Sequence, residues 1–370
     1  MSGLDPRSPG LDPRADPGTG TRRPGAGTRR PGLGARRPGL GRLRPRSRRA
    51  AATASLALVA VVVAVVALGL GDYPLSPPEV LRALLGGDGP ASTIVLQWRL
   101  PRVLAALVFG AALGASGAVF QSLTRNPLGS PDVIGFSTGA YTGAIVVIVS
   151  GAASAVGTAL GALVGGLATA LVVYLLAWRK GVHGLRLIIV GIAVTALLHS
   201  VNSWLLLRAQ AEVALSASFW GAGSLALVGW SELLPAAVLI ALLTVLVAGL
   251  ARPLRQLELG DDAARAHGLR AEGTRLALVV VAVALTAVVT ASTGPIIFVA
   301  LAAPQLARRV VRSAGVPLLG SALVGGLLLL VADVVAQHVT TTPVPVGLVT
   351  LVIGGAYLIS LLVAESRRTR

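Results

Sequence analysis

Along this chain the apolar positions gather into long unbroken runs, and the polar positions are confined to short gaps between them. A helix rising 1.5 Å per residue crosses a hydrocarbon core of about 30 Å in about 20 residues. On that measure the pattern predicts spans near residues 51–71, 100–120, 132–150, 155–177, 186–207, 232–251, 275–292, 295–307, 317–336 and 346–364. The expected fold class is an all-α polytopic membrane protein with about ten transmembrane helices. The third and eighth spans are short and start at a proline. Ser130-Pro131 and Gly294-Pro295 predict an N-cap with proline at the first helical position. Residues 213–229 are too few and too rich in Gly and Ser to span, and predict a re-entrant or surface helix on the outer side. The largest polar gap, 252–275, predicts one or two short helices over 257–269, with Gly260 and Gly268 as breaks. Asp261 and Asp262 then sit at a helix start, where negative charge is favoured. By composition this loop reads either as a docking surface or as a solvated hairpin.

Residues 1–49 follow another pattern. GLDPR starts at Gly3 and again at Gly10, and RRPG starts at Arg22, Arg29 and Arg36, a period of seven with no apolar run. Such a segment has nothing with which to build a core, so a disordered cytoplasmic tail is expected before a membrane domain over 50–366. It reads as a basic tail that touches anionic lipid or nucleic acid, or as a low-complexity extension that keeps the N-terminus inside. The apolar run after it is too long for a signal peptide and is expected to be retained as the first span.

Composition agrees with the pattern: 370 residues, 54% hydrophobic and 13% charged, with mean hydropathy +0.79. With no cysteine, disulfides, thiolate metal sites and cysteine nucleophiles are excluded. The net charge of +17 invites a nucleic-acid partner, but its distribution argues for membrane topology instead. With ten spans and both termini inside, only Arg82, Arg99, Arg102 and Arg208 of the 32 basic residues fall outside. Arg99 and Arg102 therefore stand out, flanking Pro101 at the outer end of the second span.

Chemistry-bearing motifs are missing. There is no G-x-x-x-x-G-K-[ST], and Lys180 is the only lysine. His183, His199, His267 and His338 show no metal-ligand spacing, and no serine sits in G-x-S-x-G. No catalytic residue and no metal site is expected; the chain is not read as an enzyme. The acid expected deepest in the membrane is Asp333, which reads as a hydrogen bond to a neighbouring helix end or as the coupling acid of an ion-driven carrier. Gly191, Thr195, His199 and Asn202 fall on one face of the fifth span, either lining a water-filled path or bonding between helices. Gly110, Gly114 and Gly117 share one face of the second span and predict close helix packing. Spans 2–5 and 7–10 would run in opposite directions, the logic of an inverted repeat.

The second span and the turn after it carry a longer pattern. R-x-P-R at 99–102 leads into G-A-x-L-x-x-S-G-x-x-x-Q-x-L-x-R-N-P-L-x-x-P-x-x-x-G, with Gln121, Arg125, Asn126, Pro127, Pro131 and Gly135 at its fixed positions. This resembles the signature of the iron-siderophore and vitamin B12 permease family of ABC importers (FecCD/BtuC type). The likeness covers about 50–366 and includes LELGDDAARAHGLR at 257–270 and GPIIFVALAAPQLARR at 294–309. GSPDVIGFSTGA at 129–140, LRLIIVGI at 185–192 and LLLRAQAE at 205–212 are closest to the ferric-enterobactin branch. The resemblance implies a BtuC-like permease fold in the cytoplasmic membrane, with both termini cytoplasmic. It implies two ABC ATPase subunits inside that use the ATP, a second and different permease chain, membrane lipid around them, and an extracytoplasmic siderophore-binding protein. No cofactor belongs to this chain. The implied cargo is a ferric siderophore of the catecholate type, with cobalamin or haem as alternatives in the same fold. By the same resemblance Glu258, Gly260, Asp261, Asp262, Ala263, Arg265, Ala266 and Gly268 form the ATPase-coupling loop. Arg99 and Arg102 dock the binding protein, and the Gly191, Thr195, His199, Asn202 stripe lines the path. The chain departs from its relatives at Gln305, where Pro-His is common, and at Gln337, where some carry a further docking arginine.

Overall fold

A computed structural model describes residues 45–368 apart from 133, 153, 178–183, 314 and 340–341. The expected tail over 1–44, Arg179, Lys180 and His183 lie outside the described residues. Among these the secondary structure is entirely helical: α1 (Pro45–Gly69), α2 (Pro77–Leu84), α3 (Pro90–Thr93), a π-helical turn (Ile94–Arg99), α4 (Leu100–Thr124), α5 (Phe136–Val149), α6 (Ala155–Ala177), α7 (Gly184–Arg208), α8 (Ala211–Gly221), α9 (Trp230–Gly249), α10 (Ala251–Glu258), α11 (Asp261–Ala266), α12 (Ala271–Thr293), α13 (Val299–Val311), α14 (Leu318–His338) and α15 (Val346–Arg368). Seven helices are long and apolar enough to cross a membrane, and α5 and the first part of α15 are shorter apolar helices.

The centre is α4 with α12, α13 and α14 against it. Glycine decides that packing. A Cβ on Gly110 would strike the Gly325 carbonyl, one on Gly114 the Ser321 carbonyl and one on Gly117 the Ala300 carbonyl. Backbone lies on backbone, as the small-residue stripe predicts. The same device joins α5 to α6, where Gly139 and Gly143 face Gly161 and Gly165. Buried polar groups add directed contacts: Ser116 donates to the Ala282 carbonyl at 2.7 Å, joining α4 to α12.

Pro101 explains the π turn. It has no N–H for a helical bond, so the turn ahead of it widens. The Leu96 carbonyl, five residues earlier, is met by the Trp230 indole N–H at 2.9 Å.

The two short helices start later than expected. Neither Pro131 nor Pro295 is a first helical residue; α5 begins at Phe136 and α13 at Val299. The residue before each is left-handed, Gly135 at φ 82° and Phe298 at φ 69°. A left-handed residue cannot continue a helix begun at the proline, so both chains turn first and then start. Helix α1 begins at Pro45, so residues 45–49 of the stretch expected as tail are helical. The 213–229 stretch holds the short helix α8, whose Trp220 stacks on Tyr141 of α5 with ring centroids 6.5 Å apart.

Candidate functional site

Two charged clusters mark opposite ends of α4. Its 25 residues extend about 37 Å between them. At the first end, Arg99 donates to the Leu68 carbonyl at 2.8 Å and the Tyr73 carbonyl at 2.7 Å, closing the loop after α1. Arg102 grips Asp333 of α14 through both carboxylate oxygens, at 2.9 and 2.8 Å. The Asp333 side chain is 2% exposed and that of Arg102 20%. Gln337 completes the group by donating to Asp333 at 2.8 Å. Asp333 therefore bonds to an arginine side chain rather than to a helix end. Both arginines that the sequence marks as outward charges are half-buried and already held by acceptors of their own chain.

At the other end the chain folds back as α10 and α11. Gly260 (φ 120°) and Gly268 (φ 77°) make the breaks; a Cβ on either would meet nothing within 4 Å, so backbone conformation, not space, calls for glycine. Leu254, Leu257 and Ala264 turn inward and are buried. Ser122 donates to Glu258 at 2.6 Å, and Arg125, left-handed after the end of α4, donates to the Leu257 carbonyl at 2.9 Å. Asp261 accepts from Arg275 at 2.7 Å and lies 3.4 Å from Arg125. Leu259, Asp262, Arg265 and Ala266 face outward, Leu259 at 73% exposure, a large apolar side chain at the charged end of the bundle. Ala263 is half-buried in α11.

The signature residues gather at this same end of α4 and in the turn after it. Gln121 donates to the Leu301 carbonyl at 2.9 Å, and Gln305 donates to Gln121 at 2.7 Å and to the Pro127 carbonyl at 3.2 Å. Gln305, a departure from the family pattern, thus fills a bonded position. Asn126 caps the turn by accepting from the Leu128 N–H at 2.9 Å. Beyond Pro131, Gly135 packs against Thr195 and Gly191 of α7.

That contact divides the α7 stripe. Gly191 and Asn202 are buried and Thr195 is half-buried, whereas His199 is exposed. At 100° per residue His199 lies furthest round the helix, which separates it from the other three. Neither side-chain polar atom of Asn202 has a hydrogen-bond partner, nor has the Thr195 hydroxyl.

Asp132 is the acid that sequence reading misses, because it was placed in the first turn of a span. Its carboxylate accepts from Ser137 near the start of α5 and from the Phe298 N–H ahead of α13, and its Oδ2 is buried without a partner. It ties the two interrupted segments together. The signal was there in a carboxylate directly after Pro131. Among the described residues no three His, Asp or Glu side chains gather as a metal site.

The FecCD transport family model matches residues 57–364. The chain is 50% identical over 301 residues to the ferric enterobactin transport system permease protein FepG of Escherichia coli K12, covering 80% of this chain and 91% of that protein. It is 34% identical over 306 residues to the Fe(3+)-citrate import system permease protein YfmE of Bacillus subtilis 168, covering 82% and 92%. A solved inward-facing metal-chelate type ABC transporter chain superposes with a TM-score of 0.76 at 31% identity, covering 85% of this chain and 98% of that one.

Proposed function

This chain belongs to the FecCD transport family, and on that basis we propose that it is the permease subunit of an ATP-driven importer carrying a ferric siderophore of the catecholate, enterobactin-like type. It is a multi-pass protein of the cytoplasmic membrane. The observation that carries the cargo is the 50% identity to the ferric enterobactin permease across nearly all of that relative's length.

The chain crosses the membrane ten times with both termini inside, the three spans beyond the seven long ones being α5, α13 and α15. The concentration of basic residues on one side supports this orientation. Two ATPase subunits sit against α10 and α11 and use the ATP; this chain breaks no covalent bond. A second, different permease chain completes the path, to which α7 presents His199. A siderophore-binding protein docks over the loops at the Arg99 and Arg102 end, where the exposed edges of the two guanidiniums give register and steering more than affinity. ATP-driven closure of the partners moves residues 258–268 and switches the path between outward-open and inward-open states.

The test is uptake by iron-starved cells with and without this chain, offering radio-iron enterobactin, a radio-iron hydroxamate and labelled cobalamin side by side. Loss of the catecholate signal alone is the expected result. Loss of cobalamin uptake alone would keep the architecture and overturn the cargo. Uptake that persists without the ATPase subunits and follows an ion gradient would overturn the importer itself.

A further inference from the structure

The two adjacent aspartates of α11 have been sorted to opposite sides. Asp262 is fully exposed, its one charged neighbour a loose contact to Arg265 at 3.8 Å. Asp261 turns back into the protein. Its Oδ1 receives Arg275 at 2.7 Å and lies 3.4 Å from Arg125. The two arginines belong to different long helices. Arg275 is the fifth residue of α12 and its side chain is 12% exposed. Arg125 follows the last residue of α4, and its guanidinium also donates to the Leu257 carbonyl. One carboxylate oxygen thus lies where α4, α12 and the α10–α11 fold meet.

We propose that Asp261 is a positioning residue: the joint that makes α4 and α12 follow any displacement of α11, while Asp262, Leu259 and Arg265 form the surface a partner pushes on. This inference rests on the reading that α10 and α11 receive the ATPase subunits. The mechanical argument is short. A six-residue helix flanked by two glycines in left-handed or extended positive-φ conformations is loosely attached through its backbone. Force applied to it reaches the bundle through its buried Ala264 and through side-chain ties. Among those ties the Asp261–Arg275 pair is the short, partly buried one, and charge-assisted bonds of that kind hold geometry best. Beyond Arg125, α4 is the most enclosed of the long helices and is tied to α14 by Arg102 and Asp333.

A simpler role for Asp261 is to offset the positive end of α11. The two roles separate because the native chain has no cysteine. The complex with its ATPase subunits is placed in proteoliposomes, and radio-iron enterobactin delivered by the binding protein is counted per ATP hydrolysed. Asp261→Asn should lower that ratio at least about tenfold, within the 5–150-fold range usual for coupling between sites, while the ATPase subunits stay bound. Glu272→Gln, at an exposed acid of α12 outside the partner-facing surface, should change the ratio by no more than about twofold, as for other exposed charges. In Asp261→Cys/Arg275→Cys the ratio should fall and then return when a short bis-methanethiosulfonate reagent bridges the two cysteines through disulfides, releasing methanesulfinate, which a helix-end charge role does not allow. A ratio within about twofold of the native value in Asp261→Asn, loss of the ATPase from that variant, or no recovery in chains shown to be cross-linked would overturn the proposal. Absence of any ATPase on the native chain would overturn the preceding reading itself and, with it, this one.

Discussion

Helices α1 and α4 both carry long apolar runs, yet they do opposite jobs. Of the apolar stretch in the helical run from Pro90 to Thr124, most of which is α4, 78% is buried, against 17% for α1; α12 and α14 stand at 61% and 50%, and α6, α7 and α9 at 22%, 17% and 22%. Hydrophobicity does not sort these two groups, because lipid tails accept leucine and valine as readily as a protein interior does. Small residues do. Where α4 carries Gly110, Gly114, Ser116 and Gly117, the neighbouring backbone closes in; where α1 and α7 carry Val59, Val62, Leu197 and Leu207, side chains point outward and are exposed.

The comparison breaks most sharply at the glycines. Gly117→Leu puts a branched side chain where the Ala300 backbone lies, and a backbone cannot swing away as a side-chain tip does. The expected cost exceeds about 4 kcal/mol, the class that abolishes a fold, and the measurement is loss of monodisperse protein by size exclusion after extraction. Gly249→Leu, with nothing within 4 Å of its Cβ, is the paired control and should extract normally.

Next in size is the ion pair at the Arg102 end of α4. Arg102→Met leaves Asp333 buried without its charge partner and should destabilise by about 3–5 kcal/mol. Arg102→Met/Asp333→Leu removes both charges and should recover most of that loss in thermal unfolding in detergent. If the double variant is as unstable as the single one, the pair is not what holds α4 to α14.

The smallest effect sharpens the picture of α7. Asn202 is buried on a helix that is otherwise largely exposed, and its amide lacks a partner within the chain. Asn202→Leu should leave stability unchanged or slightly raised, within about 1 kcal/mol, because no internal hydrogen bond is lost. A fall in ferric-enterobactin uptake at unchanged stability would assign the amide to transport, and a fall in both would return it to helix packing.

Much of the architecture was legible from local chemistry. The long apolar runs gave helices because lipid leaves the backbone no partner but itself. Gly260 and Gly268 broke the polar loop where expected, and the glycine stripe of α4 met its neighbours. The proline-led starts at 131 and 295 were misread, because whether a proline opens a helix depends on the residues after it, and left-handed Phe298 has no mark in composition. The charge sites were legible by type but not by role. Arg99 and Arg102 read as free outer charges; nothing local announces that one closes on carbonyls and the other on a carboxylate 231 residues away.

By itself the sequence determined the class of solvent, the number of apolar runs, the family and which residues carry charge, since hydropathy, glycine spacing and motif spacing are local or nearly so. Only the tertiary structure decided which apolar helices are buried among the others and which stay exposed, that Asp132 joins two helix breaks, and that Asp261 turns inward while Asp262 turns out. These choices depend on what stands opposite each side chain. That partner is supplied by another helix far along the chain, where no local pattern reaches.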